Sequence, residues 1–135
     1  MQSSAPLLHK VDCVRLHVSS LDEGLAFYRD RLGHALIWRT QEAAGLRLLG
    51  SDAEIVLHTG PQPPEIDFAV QSADAAAARF AEAGGEIIVP PFDIPIGRCA
   101  VVQDPWDNRN ILLDTSKGCL LTDSEGFVIG NAPPD

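Results

Sequence analysis

The chain has 135 residues, 45% hydrophobic and 21% charged, which is the length and composition of one globular domain able to bury a core. Its formal charge of −9 disfavours nucleic acid and anionic membrane as partners, because nothing in it supplies a phosphate-neutralising patch. No apolar run approaches the length needed to span a bilayer. The acidic excess would suit a cationic ligand, but the preferred reading is that it keeps the surface soluble. The opening segment MQSSAPLLHK lacks a basic stretch followed by a long apolar core, so no signal peptide is read there. Cys13, Cys99 and Cys119 are an odd count without CxxC spacing, which points to free thiols in a reducing cytoplasm.

In chain order, residues 1–9 read as a loose arm. Val11, Val14, Leu16 and Val18 are strand-type residues, and from Cys13 to Val18 apolar and other positions alternate. Ser19 and Ser20 are helix caps, with Asp22 and Glu23 in the first turn, where carboxylates suit the helix dipole. Leu21, Leu25, Tyr28 and Leu32 then share a helical face, and Gly33 closes the helix. Strand-like pieces follow at 35–39, 46–49 and 54–58, and the GPQPP stretch at 60–64 is a rigid connector.

A weaker copy of this pattern begins roughly fifty residues later, a spacing that marks a repeated unit. Residues 66–70 read as a strand; Ser72 or Asp74 caps a helix through Ala83 that ends at Gly84 and Gly85. Strand-like pieces recur at 86–89, 98–103 and 110–114. Pro90, Pro91, Pro95 and Gly97 bracket a loop where a pocket rim is expected, and residues 104–108 form a turn between strands. The chain is therefore read as α+β, two tandem βαβββ modules at 10–59 and 65–115 in a single domain 10–115. A tail at 116–135 carries a short hairpin around Ser124, Glu125 and Gly126, with a frayed end from Asn131 onward.

These features resemble the vicinal oxygen chelate superfamily, the glyoxalase, bleomycin-resistance and extradiol-dioxygenase group. The resemblance covers residues 10 to about 115 and rests on three pieces: the first strand–helix unit ending Phe27, Tyr28, Arg29, Asp30, Arg31, Leu32, Gly33; the second-module helix ending Gly84-Gly85; and the turn from Asp104-Pro105 to Asn108. It implies an open, cup-shaped mixed sheet around a ligand cavity, helices outside, and commonly a homodimer. It also implies that metal-dependent members hold a divalent ion on the concave face. Counted from Phe27 and Tyr28, the corresponding positions here are Cys13, Val56, Glu65 and Ile111. Valine and isoleucine have no donor atom, so the usual metal site is expected to be absent.

Alternation along strands places Cys13, Arg15 and His17 on one face, with Glu54, Val56 and His58, and with Glu65 and Asp67. The apolar residues between them must pack under the helices. The predicted cup is thus lined by these eight residues together with Arg98, Ile111 and Leu113, and its mixed character suits a small organic ligand. Plainer roles compete at several positions. Arg15 is read first as a structural partner of Glu65 or Asp67, and Cys13 as a small buried hydrophobe. Trp38 and Trp106 are core or interface residues before they are stacking platforms, and His34 is a cation near a helix C-terminus.

The function expected is metal-free binding or sequestration of a small organic ligand, without a cofactor, by a cytoplasmic homodimer. The alternative is a divalent-metal enzyme of lyase, isomerase or dioxygenase type using a displaced site of His17, His58 and Glu65. A metal-free acid–base enzyme is a third reading, with His17 or Glu65 as the catalytic base.

Overall fold

The structure, a computed structural model, describes residues 5–134. Strand β1 (Lys10–His17) is followed by α1 (Leu21–Leu25), which widens into a π-helical segment (Ala26–Arg31). Ser20 caps α1 by accepting the Glu23 N–H at 3.2 Å, with Asp22 and Glu23 in the first turn. The widening shows in the Leu32 N–H, which donates to Phe27 O, five residues back. It also corrects the expected apolar face. Leu21 and Leu25 are buried and Tyr28 packs against them, but the wider turn leaves Leu32 about half exposed.

The first module continues with β2 (Leu36–Arg39), β3 (Ala43–Arg47) and β4 (Glu54–His58). The second repeats the plan with β5 (Glu65–Ala69), α2 (Ala73–Glu82), β6 (Glu86–Ile94), β7 (Gly97–Gln103) and β8 (Arg109–Leu113). Ser72, not Asp74, caps α2, accepting the Ala75 N–H. Strand β6 runs through Pro90 and Pro91, where a loop was expected. It lies at the edge of the sheet, and its register with β7 slips between Val89 and Phe92, so the missing proline N–H groups cost no ladder bonds.

All eight strands form one mixed sheet in the order β2-β3-β4-β1-β5-β8-β7-β6. The modules fuse where β1 runs antiparallel to β5, placing Cys13 opposite Asp67 and Arg15 opposite Glu65. β1 pairs in parallel with β4, and β5 with β8, so each module closes the same way around its helix. One core holds Leu21, Leu25, Leu46 and Leu57 against the first helix. The other holds Val70, Ala76, Val102 and Leu112 against α2. Both cores lie on the helix side, which leaves the opposite face of the sheet for the site.

Beyond β8 the tail forms a hairpin of β9 (Cys119–Thr122) and β10 (Val128–Ala132). Asn131 and Ala132, expected to fray, belong to its second strand; Asp135 lies outside the described residues. The hairpin reaches back to module one. Arg39 N–H donates to Gly126 O at 2.7 Å, and the Arg39 guanidinium lies 4.7 Å from the Phe127 ring centre. At its base, Lys117 N–H donates to Ile96 O at 2.9 Å. Gly118, at φ +115°, sits so close to the Ala132 carbonyl that no Cβ fits between them. The tail therefore crosses the mouth of the cup, tied to both modules. Among the described residues no helix is long and apolar enough to cross a membrane.

Candidate functional site

Two bulges shape the concave face. In β1 the register moves from Val11 opposite Phe68 to Cys13 opposite Asp67, so Asp12 is an extra residue. In β2 it moves from Leu36 opposite Leu46 to Trp38 opposite Gly45, so Ile37 is extra. Strict alternation would send Asp12 and Ile37 to the helix side. The bulges instead bring Asp12 with Cys13, and Ile37 with Trp38, into one cavity of about 540 Å3. Arg15, Glu54, Val56, Asp67 and Leu113 complete the strand floor. Ile94, Pro95 and Ile96 form a rim, and Thr115, Gly118, Cys119, Leu120 and Thr122 of the tail form the cover. A second concavity of about 550 Å3 lies between the arm at 5–9 and the start of α2. It contains no buried acidic or basic side chain and carries no comparable chemistry.

The aromatic wall depends on Gly45. Trp38 lies across it, and a Cβ at Gly45 would collide with the indole. In that position Trp38 Nε1–H donates to Glu54 Oε1 at 2.7 Å. Gly45→Ala is expected to push the indole off β3 and break this hydrogen bond, lowering stability by about 1–3 kcal/mol. Trp106 is 78% exposed, so in a Trp106→Phe background the Trp38 emission reports the event as a red shift. Unchanged emission and stability would show that the wall does not need this glycine.

The floor is acidic and partly buried. Asp67 is 6% exposed, and burial raises its pKa from 3.8 to about 7, against the pull of Arg15 and a hydrogen bond with Cys13. Asp67 Oδ1 is buried without a hydrogen-bond partner. Burial also raises Asp12 and Glu54 above their ordinary values, the latter against the Trp38 hydrogen bond. The Cys13 thiol is pushed strongly upward by burial and then by Asp67, and Cys99 is pushed up to about 12 by burial. Both thiols are protonated at neutral pH, so neither is a ready nucleophile.

Of the residues expected at the site, Cys13, Arg15, Glu54, Val56, Asp67 and Leu113 line the cavity. Others do not reach it. Arg98 sits one position out of phase, on the α2 side of β7. Its Nε donates to Asp74 at 2.7 Å and its Nη1 to Asp93 at 3.0 Å. Ile111 pairs with Asp67 on the cup face but stands outside the lining. His17, His58 and Glu65 lie toward the other end of the central strands, beyond the reach of the tail. His17 Nδ1 donates to Gly60 O at 2.6 Å, and Glu65 is held by Arg109 Nε at 3.2 Å rather than by Arg15. The His17 and His58 rings are 6.0 Å apart, and burial first, then Arg15 and His17, lowers the pKa of His58. His34 Nδ1 donates to Arg47 O at 3.0 Å, anchoring the helix end to β3. Asp12, Ile37 and the tail residues were not legible from alternation. Trp38 was legible only as an aromatic residue with several roles.

The sequence profile of the Glyoxalase/Bleomycin resistance protein/Dioxygenase superfamily matches residues 10–112. The chain belongs to this superfamily. Within it, the chain is 42% identical over 95 residues to the provisionally named glyoxylase CFP32 of Mycobacterium tuberculosis, covering 62% of this chain and 36% of that protein. The chain thus spans about a third of the length of that relative. An uncharacterised Mycolicibacterium smegmatis protein is 35% identical over 105 residues, with 74% of this chain and 89% of that one covered. Among solved structures, methylmalonyl-CoA epimerase from Mycobacterium tuberculosis superposes with a TM-score of 0.70 at 20% identity, over 84% of this chain and 92% of the other. Homoprotocatechuate 2,3-dioxygenase from Brevibacterium fuscum superposes with a TM-score of 0.61 at 21% identity, over 96% and 41%. At these identities the superpositions show the shared superfamily fold.

The metal positions that the superfamily resemblance implies do not fit a metal here. Val56 and Ile111 carry no donor, the Glu65 carboxylate is engaged by Arg109, and the Cys13 thiol is held protonated. The residues of the displaced alternative are spaced more widely. Among the described residues, the trio of His, Cys, Asp or Glu whose ligand atoms all lie within 4.8 Å of one another is Asp12, Cys13 and Asp67, not His17, His58 and Glu65.

Proposed function

We propose that this chain is a metal-free small-molecule-binding protein of the glyoxalase/bleomycin-resistance type, which binds or sequesters a small organic ligand in its cup. The observation that carries this reading is the covered cavity of about 540 Å3, within the range of small-molecule sites. Its walls are apolar (Ile37, Trp38, Val56, Ile96, Leu113, Leu120), and its few polar groups converge on the floor. Protonated thiols and the engaged Glu65 favour binding over nucleophilic or metal-assisted chemistry. The free cysteines accord with a reducing cytoplasm. Exposed Phe27, Leu32, Ile87, Ile88 and Phe92 offer apolar surface for a second copy in a homodimer.

A thermal-shift screen of small organic compounds, run with and without chelator, tests the proposal alongside elemental analysis of untagged protein. The expected result is a ligand whose stabilisation survives chelation and disappears in Val56→Trp, which fills the floor of the cavity. Near-stoichiometric iron, zinc, nickel or manganese, with a ligand response abolished by chelator, would replace this reading with the metal-dependent alternative.

A further inference from the structure

The floor of the cavity carries more acid than its surroundings neutralise. Asp12, Glu54 and Asp67 share the lining with a single cation, Arg15, while Lys10, itself paired with Asp52, and Arg47 act on Asp12 and Glu54 from outside it. Glu54 is committed to Trp38 Nε1–H. Arg15 acts on Asp67 through its charge, yet Asp67 Oδ1 keeps no hydrogen-bond partner although the side chain is more than nine-tenths buried. Native proteins seldom leave a buried carboxylate oxygen unpaired, because the desolvation it has suffered is not returned. This oxygen belongs to a side chain that lines the cavity, beside the Asp12 carboxylate that the β1 bulge redirects to the same place. The ligand atoms of Asp12, Cys13 and Asp67 lie within 4.8 Å of one another, close enough for one donor group to address both acids.

We propose that the cavity recognises a small organic cation, such as an amine, amidine or guanidine, whose N–H groups donate to the Asp67 and Asp12 carboxylates while its carbon skeleton packs against Trp38, Ile37, Ile96 and Leu113. The inference rests on the reading of the cup as a ligand site and adds the ligand's chemical class. Charge and shape agree on it. The Trp38 N–H occupies one oxygen of Glu54 without cancelling its charge, so three carboxylates share the lining with one arginine and the balance favours a positively charged ligand. The indole of Trp38 on the adjoining wall offers a π face, which favours a cation over a neutral body of the same shape. An anionic ligand would have to use Arg15 alone, against the field of the other floor groups. A metal ion at the trio would have to displace the Cys13 proton and would leave the apolar wall without a role.

The test is a protein-observed NMR titration of the full chain at about pH 8, where Asp67 is ionised. The probes are benzylamine, benzamidine and phenylguanidine, each compared with benzyl alcohol, benzamide and benzoate, and zinc alone. The expected result is that the cations bind roughly tenfold or more tightly than the neutral and anionic probes, with shifts at cavity residues. Asp67→Asn should remove that preference while leaving neutral-probe affinity in place. Should that variant not fold, Asp12→Asn and the wild-type charge series decide the matter. Equal or tighter binding of benzyl alcohol, benzamide or benzoate, blocked by Val56→Trp, would overturn the cationic class and leave the ligand cavity standing. Zinc binding that is lost in Cys13→Ser and outcompetes the amines would make the trio a metal site instead. No cavity shift with any probe would remove both readings.

Discussion

Asp67→Asn is expected to stabilise the protein at pH 8 by on the order of 4 kcal/mol, an upper figure set by the buried charge that it removes. Asp67 is raised from 3.8 to about 7, first by burial, with Arg15 and Cys13 opposing and with Asp12 and Glu65 adding to the rise. Between about pH 4 and pH 7 the folded chain therefore holds this proton more tightly than the unfolded chain. Stability falls as pH rises through that window and is flat above it. Asp12 and Glu54, raised by burial, act in the same sense. Urea unfolding of wild type and Asp67→Asn across this range isolates the contribution of Asp67 as the difference between two curves. Parallel curves would mean that this carboxylate carries no folding cost. A real difference would identify a group that weakens the fold at a position facing the cavity, which is where stability is given up for binding.

Asp114→Ala is expected to act in the opposite direction, costing about 3–5 kcal/mol at neutral pH. Asp114 is 5% exposed and braces four groups. Its Oδ2 accepts the Ala73 N–H at the start of α2 at 2.8 Å. Its Oδ1 accepts the Arg98 N–H at 2.9 Å, and the Ser116 N–H and hydroxyl at 3.2 and 2.7 Å. Burial alone would raise its pKa, but the Ala73 N–H, both Ser116 groups and the Arg98 N–H together hold it below the ordinary value. The stability it supplies is fully present above about pH 4 and is lost as pH falls through its depressed folded-state pKa. Alanine strands the buried Ala73 and Arg98 N–H donors and loosens the segment where the tail leaves β8. Chemical denaturation reads the loss, and the variant should also lack the acid limb that this group gives the wild type. A loss below about 1 kcal/mol would show that water substitutes for the carboxylate. Together the two aspartates place maximal stability near pH 4 to 5, below neutrality.

What the sequence determined by itself is what local periodicity encodes. The duplicated strand–helix–strand order, the Ser20 and Ser72 caps, the strand at 54–58 and the shared face of Cys13, Arg15, Glu54, Val56 and Asp67 follow from alternation and capping, which involve neighbours a few residues apart. Leucines of period 3.6 made the start of the first core legible in Leu21 and Leu25, while the alanine-rich second helix gave no comparable stripe. Only the tertiary structure decided which part of the cup is a cavity. Asp12 and Ile37 enter it through bulges, and a bulge depends on how two strands slip past one another rather than on either strand's composition. Arg98 leaves it because β7 meets β8 with Cys99, not Arg98, opposite Leu113. The tail covers one end of the cup because Arg39 receives Gly126 and Phe127 from a segment more than eighty residues away, and that choice leaves His17, His58 and Glu65 outside the cavity. Contacts this distant in sequence are set by the packing of completed modules, after local preference has been spent.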